Sequence, residues 1–92
     1  MADIIIKNVI TGEEISLSEV ELDQLTGRDL IEQLIGGGVL VPESQLPQNV
    51  GIPTLYRLVD KNGIMLEPFD PRTLEEIGYL CGDIIRIIHR SW

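Results

Sequence analysis

Two side chains in this sequence are of types that often perform catalysis, namely His89 and Cys81. A histidine that acts as a base requires an orienting partner and a nearby nucleophile, and no such arrangement is visible around His89. Cys81 lies in a turn sequence close to Asp83, whose negative charge opposes formation of a thiolate. We therefore interpret His89 as a surface or strand-edge residue and Cys81 as a small buried or semi-exposed thiol. The sequence predicts no catalytic residue and indicates that the chain is not an enzyme.

The glycine-rich and acidic segments do not predict a cofactor or metal site. The glycines at 36–38 follow a predicted helix, whereas a phosphate-binding loop precedes its helix and usually carries a lysine. A single cysteine cannot supply the ligands of an iron–sulfur cluster. The acidic residues lack the spacing of a calcium-binding loop, and we interpret them as solvated. They are Glu13, Glu14, Glu19, Glu21, Asp23, Glu75 and Glu76.

Composition limits the classes of partner. The chain has 92 residues, 43% of them apolar, and a net charge of −8 from 15 acidic and 7 basic residues. This size predicts a single domain over residues 1–92. The acidic balance disfavours nucleic acid and anionic membranes, and it either keeps the protein soluble or complements a basic patch on a partner. No membrane span and no secretory signal are visible, which predicts a cytoplasmic protein.

Strand patterns occupy both ends of the chain. Two apolar alternating segments surround the Thr11–Gly12 turn, which predicts a β-hairpin over about residues 3–20. The β-branched segment 84–88 follows a Gly-Asp turn and predicts a buried last strand. We expect the first and last strands to lie parallel at the centre of a sheet.

The middle of the chain predicts one helix, a covering loop and a second hairpin. Thr26 and Asp29 form a weak capping box for a helix that ends at the glycines 36–38. Residues 39–53 contain three prolines but are too apolar for a free linker, so we expect a loop that folds back over the core.

A second hairpin is predicted by Asn62–Gly63 between the segments 56–59 and 64–66, and Thr73 begins a short helical turn. The predicted core comprises Ile4, Ile6, Ile15, Leu17, Leu30, Leu34, Leu58, Leu66, Leu74, Ile77, Ile85 and Ile87.

In this order the elements resemble ubiquitin and its relatives. The resemblance rests on the segment 6–17, on Arg72-Thr73-Leu74 with the short helical turn, and on the Gly-Asp start of the last strand at 82–88. It implies an α+β β-grasp, with a mixed sheet of four to five strands packed on one main helix. Among bacterial members, the chain is nearest in plan to the EsaB/YukD ubiquitin-like proteins of type VII secretion systems.

The resemblance also implies a protein-binding patch on the exposed sheet face, at positions matching Ile10, Arg57 and Ile88. Arg57 replaces an aliphatic residue of the family, which implies a more acidic partner. Two interpretations stay open for the isoleucines, since they could form a small patch or complete the edge of the core. Trp92 is a further candidate, which either packs on its own domain or inserts into a partner.

The family attaches to targets through a C-terminal Gly-Gly, and the matching stretch here is His89-Arg90-Ser91-Trp92. We therefore expect a non-enzymatic interaction module that is not conjugated and acts as a cytosolic regulator or assembly factor of a type VII-like secretion system. An alternative is a small accessory subunit of a multicomponent enzyme complex. A sulfur carrier or conjugated modifier is disfavoured. The oligomeric state is not predicted.

Overall fold

A computed structural model describes residues 1–47 and 51–91 of the chain. Strands β1 (Ala2–Asn8) and β2 (Glu14–Val20) form the predicted antiparallel hairpin, with Ile6 opposite Ile15. The turn between them is closed by Asn8, whose Oδ1 accepts a hydrogen bond from the amide of Ile10 at 3.0 Å. Gly12 adopts a φ of 79°, a left-handed conformation that glycine accommodates without steric strain.

Helix α1 (Gly27–Gly36) begins at the predicted capping box. The Thr26 hydroxyl accepts a hydrogen bond from the Asp29 amide at 3.2 Å, and the Asp29 carboxylate accepts one from the Thr26 amide at 3.1 Å. These reciprocal bonds satisfy two amides that a helix N-terminus would otherwise leave unpaired. The buried face of the helix contributes Leu30, Ile31 and Leu34 to the core.

The last strand lies beside the first. Strand β4 (Ile84–Ser91) pairs in parallel with β1, with Ile5 opposite Ile84 and Lys7 opposite Arg86. Strand β3 (Thr54–Val59) pairs antiparallel with the other side of β4. The result is a four-stranded mixed sheet in the order β2-β1-β4-β3. This α+β arrangement confirms the predicted fold class and is compatible with a β-grasp.

The second hairpin is shorter than predicted. The returning segment 64–66 forms an isolated bridge between Met65 and Val59 rather than a strand. Two backbone hydrogen bonds, from Asp60 to Ile64 and from Leu66 to Leu58, fasten it to β3. The chain then reaches Pro68 and Pro71, which have no amide hydrogen to extend a ladder. The sheet therefore has four strands, the lower of the two predicted numbers.

Helix α2 (Leu74–Ile77) carries a second capping box, formed by Thr73 and Glu76, and ends at Gly78 with a φ of 118°. Its first residue donates a backbone hydrogen bond to Leu25 at 2.8 Å, which docks the turn against the segment before α1. The following Tyr79 is buried and donates its hydroxyl to the Val59 carbonyl at 2.6 Å.

The core lies between the sheet and α1. Nine of the predicted core residues are buried, and they are Ile4, Ile6, Leu30, Leu34, Leu58, Leu66, Leu74, Ile85 and Ile87. Ile15, Leu17 and Ile77 are half-buried, and of these Leu17 and Ile77 pack against the buried core at its edge. Ile15 and Leu17 belong to β2, an outer strand of the sheet with fewer neighbours. The list of predicted core residues did not include Ile31, Leu40, Leu46, Tyr56 and Tyr79, which are buried.

The segment 39–47 folds back over the core as predicted, since Leu40 and Leu46 are buried. It includes a short 3₁₀ helix (Glu43–Gln45) whose Glu43 carboxylate accepts a hydrogen bond from the Tyr56 amide at 2.8 Å. The Tyr56 hydroxyl donates to the Val41 carbonyl at 2.9 Å. These bonds occupy polar groups along β3, an outer strand of the sheet. Residues 48–50 of the predicted covering loop lie outside the described residues.

Glu43 also forms a bidentate ion pair with Arg28 of α1. Burial alone would raise the pKa of the Glu43 carboxyl, but hydrogen bonds from Arg28 and from the Tyr56 amide outweigh it and hold the pKa below its ordinary value. The Arg28 guanidinium lies 5.3 Å from the centre of the Phe69 ring and 3.4 Å from Glu32. One arginine thus connects the helix, the covering segment and the loop after β3.

Candidate protein-docking surface

The sheet has a face directed away from α1, called the outer face below. Buried and less buried residues alternate along β3, which places Leu55, Arg57 and Val59 on this face. In β4 the buried residues Ile85 and Ile87 alternate with four residues of the outer face. These are Ile84, Arg86, Ile88 and Arg90. Strand β1 adds Ile5 and Lys7.

Strand register surrounds Ile88 with arginines. Arg57 is directly opposite Ile88 in the β3–β4 ladder. Arg86 and Arg90 precede and follow Ile88 by two residues in β4, so their side chains share its face. The structure therefore brings together two of the predicted site residues, Arg57 and Ile88, as cross-strand neighbours. It also adds two arginines that the sequence analysis did not include in the site.

The arginines of the outer face form no ion pair with any described side chain. The other basic residues do form ion pairs: Lys7 with Glu14, Arg28 with Glu43, Lys61 with Asp83 and Arg72 with Asp70. Within residues 1–47 and 51–91, Arg57, Arg86 and Arg90 lack such a carboxylate. A chain of net charge −8 thus concentrates its unpaired positive charge on one side of β3 and β4.

Arg57 has further unused bonding capacity. Its side chain is half-buried, and its Nε is the one buried side-chain nitrogen or oxygen in the described part of the chain without a hydrogen-bond partner. A guanidinium can bind a carboxylate through two parallel hydrogen bonds. Because the Arg57 Nε is buried, an acidic side chain of a bound protein would approach the terminal nitrogens of the guanidinium.

Ile10 and Val9 extend the surface at the turn after β1. The Val9 amide donates to the Ile87 carbonyl at 3.0 Å, so Val9 lies beside Ile88, and it is 44% exposed. Ile10 is 55% exposed, but it lies in the turn beyond the ladder and has no cross-strand partner. The exposure of Ile10 favours the patch interpretation over completion of the core. Trp92, the fourth predicted site residue, lies outside the described residues.

The added residues had a detectable signal in the sequence. The last strand alternates Ile84, Arg86, Ile88 and Arg90, which indicates one face that is both apolar and basic. Sequence reasoning assigned Ile85 and Ile87 to the core and Ile88 to the exposed face, but it did not extend this alternation to Arg86 and Arg90. Val9 had no comparable signal, because its position depends on pairing with a strand nearly 80 residues later.

The residues considered for catalysis are not assembled into a site. His89 lies in β4 on the core side, where its ring meets that of Tyr56 edge to face with centroids 6.0 Å apart. Cys81 is exposed, so it is more accessible than the buried or semi-exposed thiol that the sequence predicted. Among the residues that the structure describes, no group of three or more His, Cys, Asp and Glu could hold a metal ion. No helix in the same part of the chain is long and apolar enough to cross a membrane.

Comparisons with known proteins do not supply a relative. No protein-family model matches the chain. A search of curated proteins also finds no match. The geometry of the outer face and the resemblance to ubiquitin-like proteins are therefore the two indications of function.

Proposed function

We propose that this chain is a non-enzymatic, ubiquitin-like interaction module that binds an acidic surface of another protein through its outer face. The observation that carries the proposal is the grouping of Arg57, Arg86 and Arg90 around Ile88 without carboxylate partners among the described side chains. Arginine and aliphatic side chains together favour protein interfaces, because the arginines supply directional hydrogen bonds and the aliphatic groups supply burial.

Charge complementarity defines the partner. A carboxylate that approaches Arg57 from a bound protein would meet a guanidinium that forms no ion pair with the described side chains. Arg86 and Arg90 would favour further acidic side chains at the rim, while Ile88 and Val9 would contact apolar groups between them. The rest of the molecule is acidic and would repel nucleic acid, so a protein fits the surface better than a polyphosphate chain does.

The resemblance to the EsaB/YukD proteins extends this proposal to a cytoplasmic regulator or assembly factor of a type VII-like secretion system. That extension rests on the order of elements and on the Gly-Asp last strand alone. The alternative role, an accessory subunit of an enzyme complex, would use the same outer face. The identity of captured proteins distinguishes the two, as secretion components or as an oxidoreductase.

The test compares two charge-reversed variants in affinity capture from the native host. Arg86→Glu/Arg90→Glu changes the outer face. Lys61→Glu/Arg72→Glu makes the same change in net charge at residues that lie elsewhere and form other ion pairs. We expect the wild type and the control to retain a partner that the first variant loses.

Binding measurements with the purified proteins then give the size of the loss in affinity. Binding of the captured protein to Arg86→Glu/Arg90→Glu should weaken by at least about tenfold and should lose most of its salt dependence. Equal capture and equal affinity for both variants would contradict docking through the outer face.

A further inference from the structure

A cavity of about 360 Å³, called the end cavity below, lies beside Ala2 at the start of β1. Its lining includes the buried side chains of Val20 and Tyr79 and the half-buried side chain of Leu22. Leu80 lines it too and is 61% exposed. An exposed leucine that continues the lining of an apolar cavity leaves apolar surface in water, and such surface is typical of a docking site.

Backbone hydrogen bonds hold the walls of the end cavity in place. The Glu75 amide donates to the Leu22 carbonyl at 2.9 Å, which joins α2 to the segment after β2. The turn that carries Leu80 is closed by two bonds. The Leu80 amide donates to the Asp83 carboxylate at 2.6 Å, and the Asp83 amide donates to the Leu80 carbonyl at 3.1 Å. The cavity is therefore formed before anything binds, which lowers the entropic cost of association.

Two carboxylates give the end cavity a negative rim. Asp23 and Glu75 line it, are exposed, and form no ion pair with the described side chains. The backbone bond from Glu75 to Leu22 places the two acidic residues on neighbouring walls. No lysine or arginine among the described residues lines the cavity. An occupant that complements this site therefore has an apolar group with positive charge close to it.

We propose that the end cavity binds a basic segment of a second protein partner, in which one leucine-sized side chain is flanked by lysines or arginines. The apolar side chain packs against Val20 and Leu80, and the basic groups meet Asp23 and Glu75. An apolar anchor in a preformed pocket is the arrangement in which a few residues supply most of the affinity of an interface.

A second copy of this chain is the main competing occupant, because its outer face is also basic and apolar. Each copy carries a net charge of −8, and the resulting repulsion opposes such pairing. A separate basic protein is instead attracted by the charge of the whole chain. The proposal goes beyond the outer face, because it uses different residues and the opposite sign of charge. Together with the proposed function, it makes the chain a connector between an acidic and a basic protein.

The first experiment adds three capped pentapeptides to the ¹⁵N-labelled full chain. The test peptide has a central leucine between two pairs of lysines, and the controls replace either the leucine with alanine or the lysines with glutamates. We expect the test peptide to shift amides in the segments 20–23 and 74–81. The alanine peptide should bind about fivefold more weakly because it buries less apolar area. The glutamate peptide should bind about fivefold more weakly or worse because the rim repels it.

Cys81 gives a second readout, because it lines the end cavity, is exposed and is the single cysteine of the chain. Reaction with N-ethylmaleimide adds an uncharged group at this position. The adduct should weaken binding of the test peptide by about threefold or more, because it obstructs the cavity without changing the charge. The same treatment of Cys81→Ser should leave binding unchanged.

Two variants test the apolar and the charged half of the proposal separately. Leu80→Ser removes the exposed apolar group and should reduce the preference for the leucine peptide over the alanine peptide to about twofold or less. Asp23→Lys/Glu75→Lys should reverse the preference between the lysine and glutamate peptides. Glu13→Lys/Glu67→Lys makes the same change in net charge at exposed residues outside the cavity, and it should keep the wild-type preference.

Several outcomes would overturn the inference. Shifts centred on Arg86 and Arg90, or equal binding of the leucine and alanine peptides, would show that the end cavity is not the binding site. A lysine preference that survives in Asp23→Lys/Glu75→Lys would mean that net charge alone attracts the peptide. Self-association of the wild type that the same variant abolishes in analytical ultracentrifugation would assign the cavity to a second copy.

The outer-face variant Arg86→Glu/Arg90→Glu should bind the test peptide at least as well as the wild type does. Failure of one surface is therefore distinguishable from failure of the other.

Discussion

The arginines on the two sides of β3 serve different purposes. On the core side, Arg28 binds Glu43 in a bidentate pair, contacts Glu32 and packs over Phe69. On the outer face, Arg57, Arg86 and Arg90 form no ion pair with a described carboxylate. The same residue type therefore stabilises the fold on one side and is available for binding on the other. The difference shows that partner geometry, and not residue type, determines what an arginine contributes.

The largest expected effect comes from removing Glu43. Glu43→Ala leaves the Tyr56 amide and the Arg28 guanidinium without their acceptor, so the free energy of unfolding should fall by about 2–3 kcal/mol. In a domain of this size that corresponds to a decrease in Tm of roughly 10 °C or more. Thermal and urea unfolding measure both quantities.

Glu32→Ala is the matched control for this prediction. Glu32 is an exposed partner of the same arginine, with 63% of its side chain accessible. Its loss should cost at most about 0.5 kcal/mol. A similar loss in the free energy of unfolding for the two variants would mean that the contacts of Glu43 with Arg28 and the Tyr56 amide, called the core-side network below, do not stabilise the fold.

Tyr79 gives the next largest effect and a spectroscopic readout. Burial is the main cause that raises the pKa of Tyr79 from 10.0 to about 12. Tyr79→Phe should cost about 1 kcal/mol because the bond to the Val59 carbonyl is lost. Absorbance titration of the wild type should show one phenol that resists ionisation until about pH 12, and the variant should lack this late transition.

The linkage between protonation of Tyr79 and folding determines how the stability of the protein changes at alkaline pH. The folded state keeps Tyr79 protonated. The contribution of this phenol to the free energy of unfolding is therefore complete below the pKa of the unfolded phenol and is lost as pH rises through the raised pKa of the folded state. A wild-type stability that did not fall in this range would contradict the buried position of the phenol.

Acid stability should also report on the core-side network. Hydrogen bonds from Arg28 and the Tyr56 amide overcome the opposing effect of burial and lower the Glu43 pKa, while Lys61 lowers the Asp83 pKa. The contributions of these two carboxylates to the free energy of unfolding are complete above the pKa values of the unfolded state, about 4, and are lost as pH falls through the lower pKa values of the folded state. Urea midpoints should therefore be almost constant down to about pH 5 and should then fall.

The variant Glu43→Gln separates the contribution of Glu43 to the acid sensitivity from that of Asp83. It should unfold more easily than the wild type at neutral pH but lose less stability on acidification, because it no longer has a carboxylate to protonate. Parallel pH profiles for the two proteins would exclude Glu43 as a source of the acid sensitivity.

The smallest stability effect is expected on the outer face. Arg86→Ala/Arg90→Ala should change the free energy of unfolding by less than about 0.5 kcal/mol, because neither side chain forms an ion pair in the described structure. Chemical denaturation provides the measurement. A loss as large as that of Glu43→Ala would show that these arginines stabilise the fold, and the contrast between the two sides would be broken.

Local sequence signals were sufficient for most elements. The capping boxes at Thr26 and Thr73, the turn at Gly12 and the alternation of the end strands depend on residues a few positions apart. Such interactions form within a turn of chain and are visible as spacing. The predicted hairpin, both helices and the parallel pairing of the end strands were confirmed for this reason. The returning segment 64–66 was predicted as a strand but forms only an isolated bridge to β3, because its local pattern does not determine how many ladder bonds its tertiary path allows.

The candidate site depended on contacts between distant segments. The sequence alone determined that Arg57 and Ile88 are in strands and that the chain is acidic. Only the tertiary structure decided that Ile88 lies between Arg86 and Arg90 opposite Arg57, and that Glu43 pairs with Arg28 instead of with these arginines. An ion pair requires two groups within a few ångströms, and for residues far apart in the chain that distance is set by strand register and by the folding of the segment 39–47. Charge and periodicity are therefore encoded locally, whereas the pairing of charges is a property of the assembled fold.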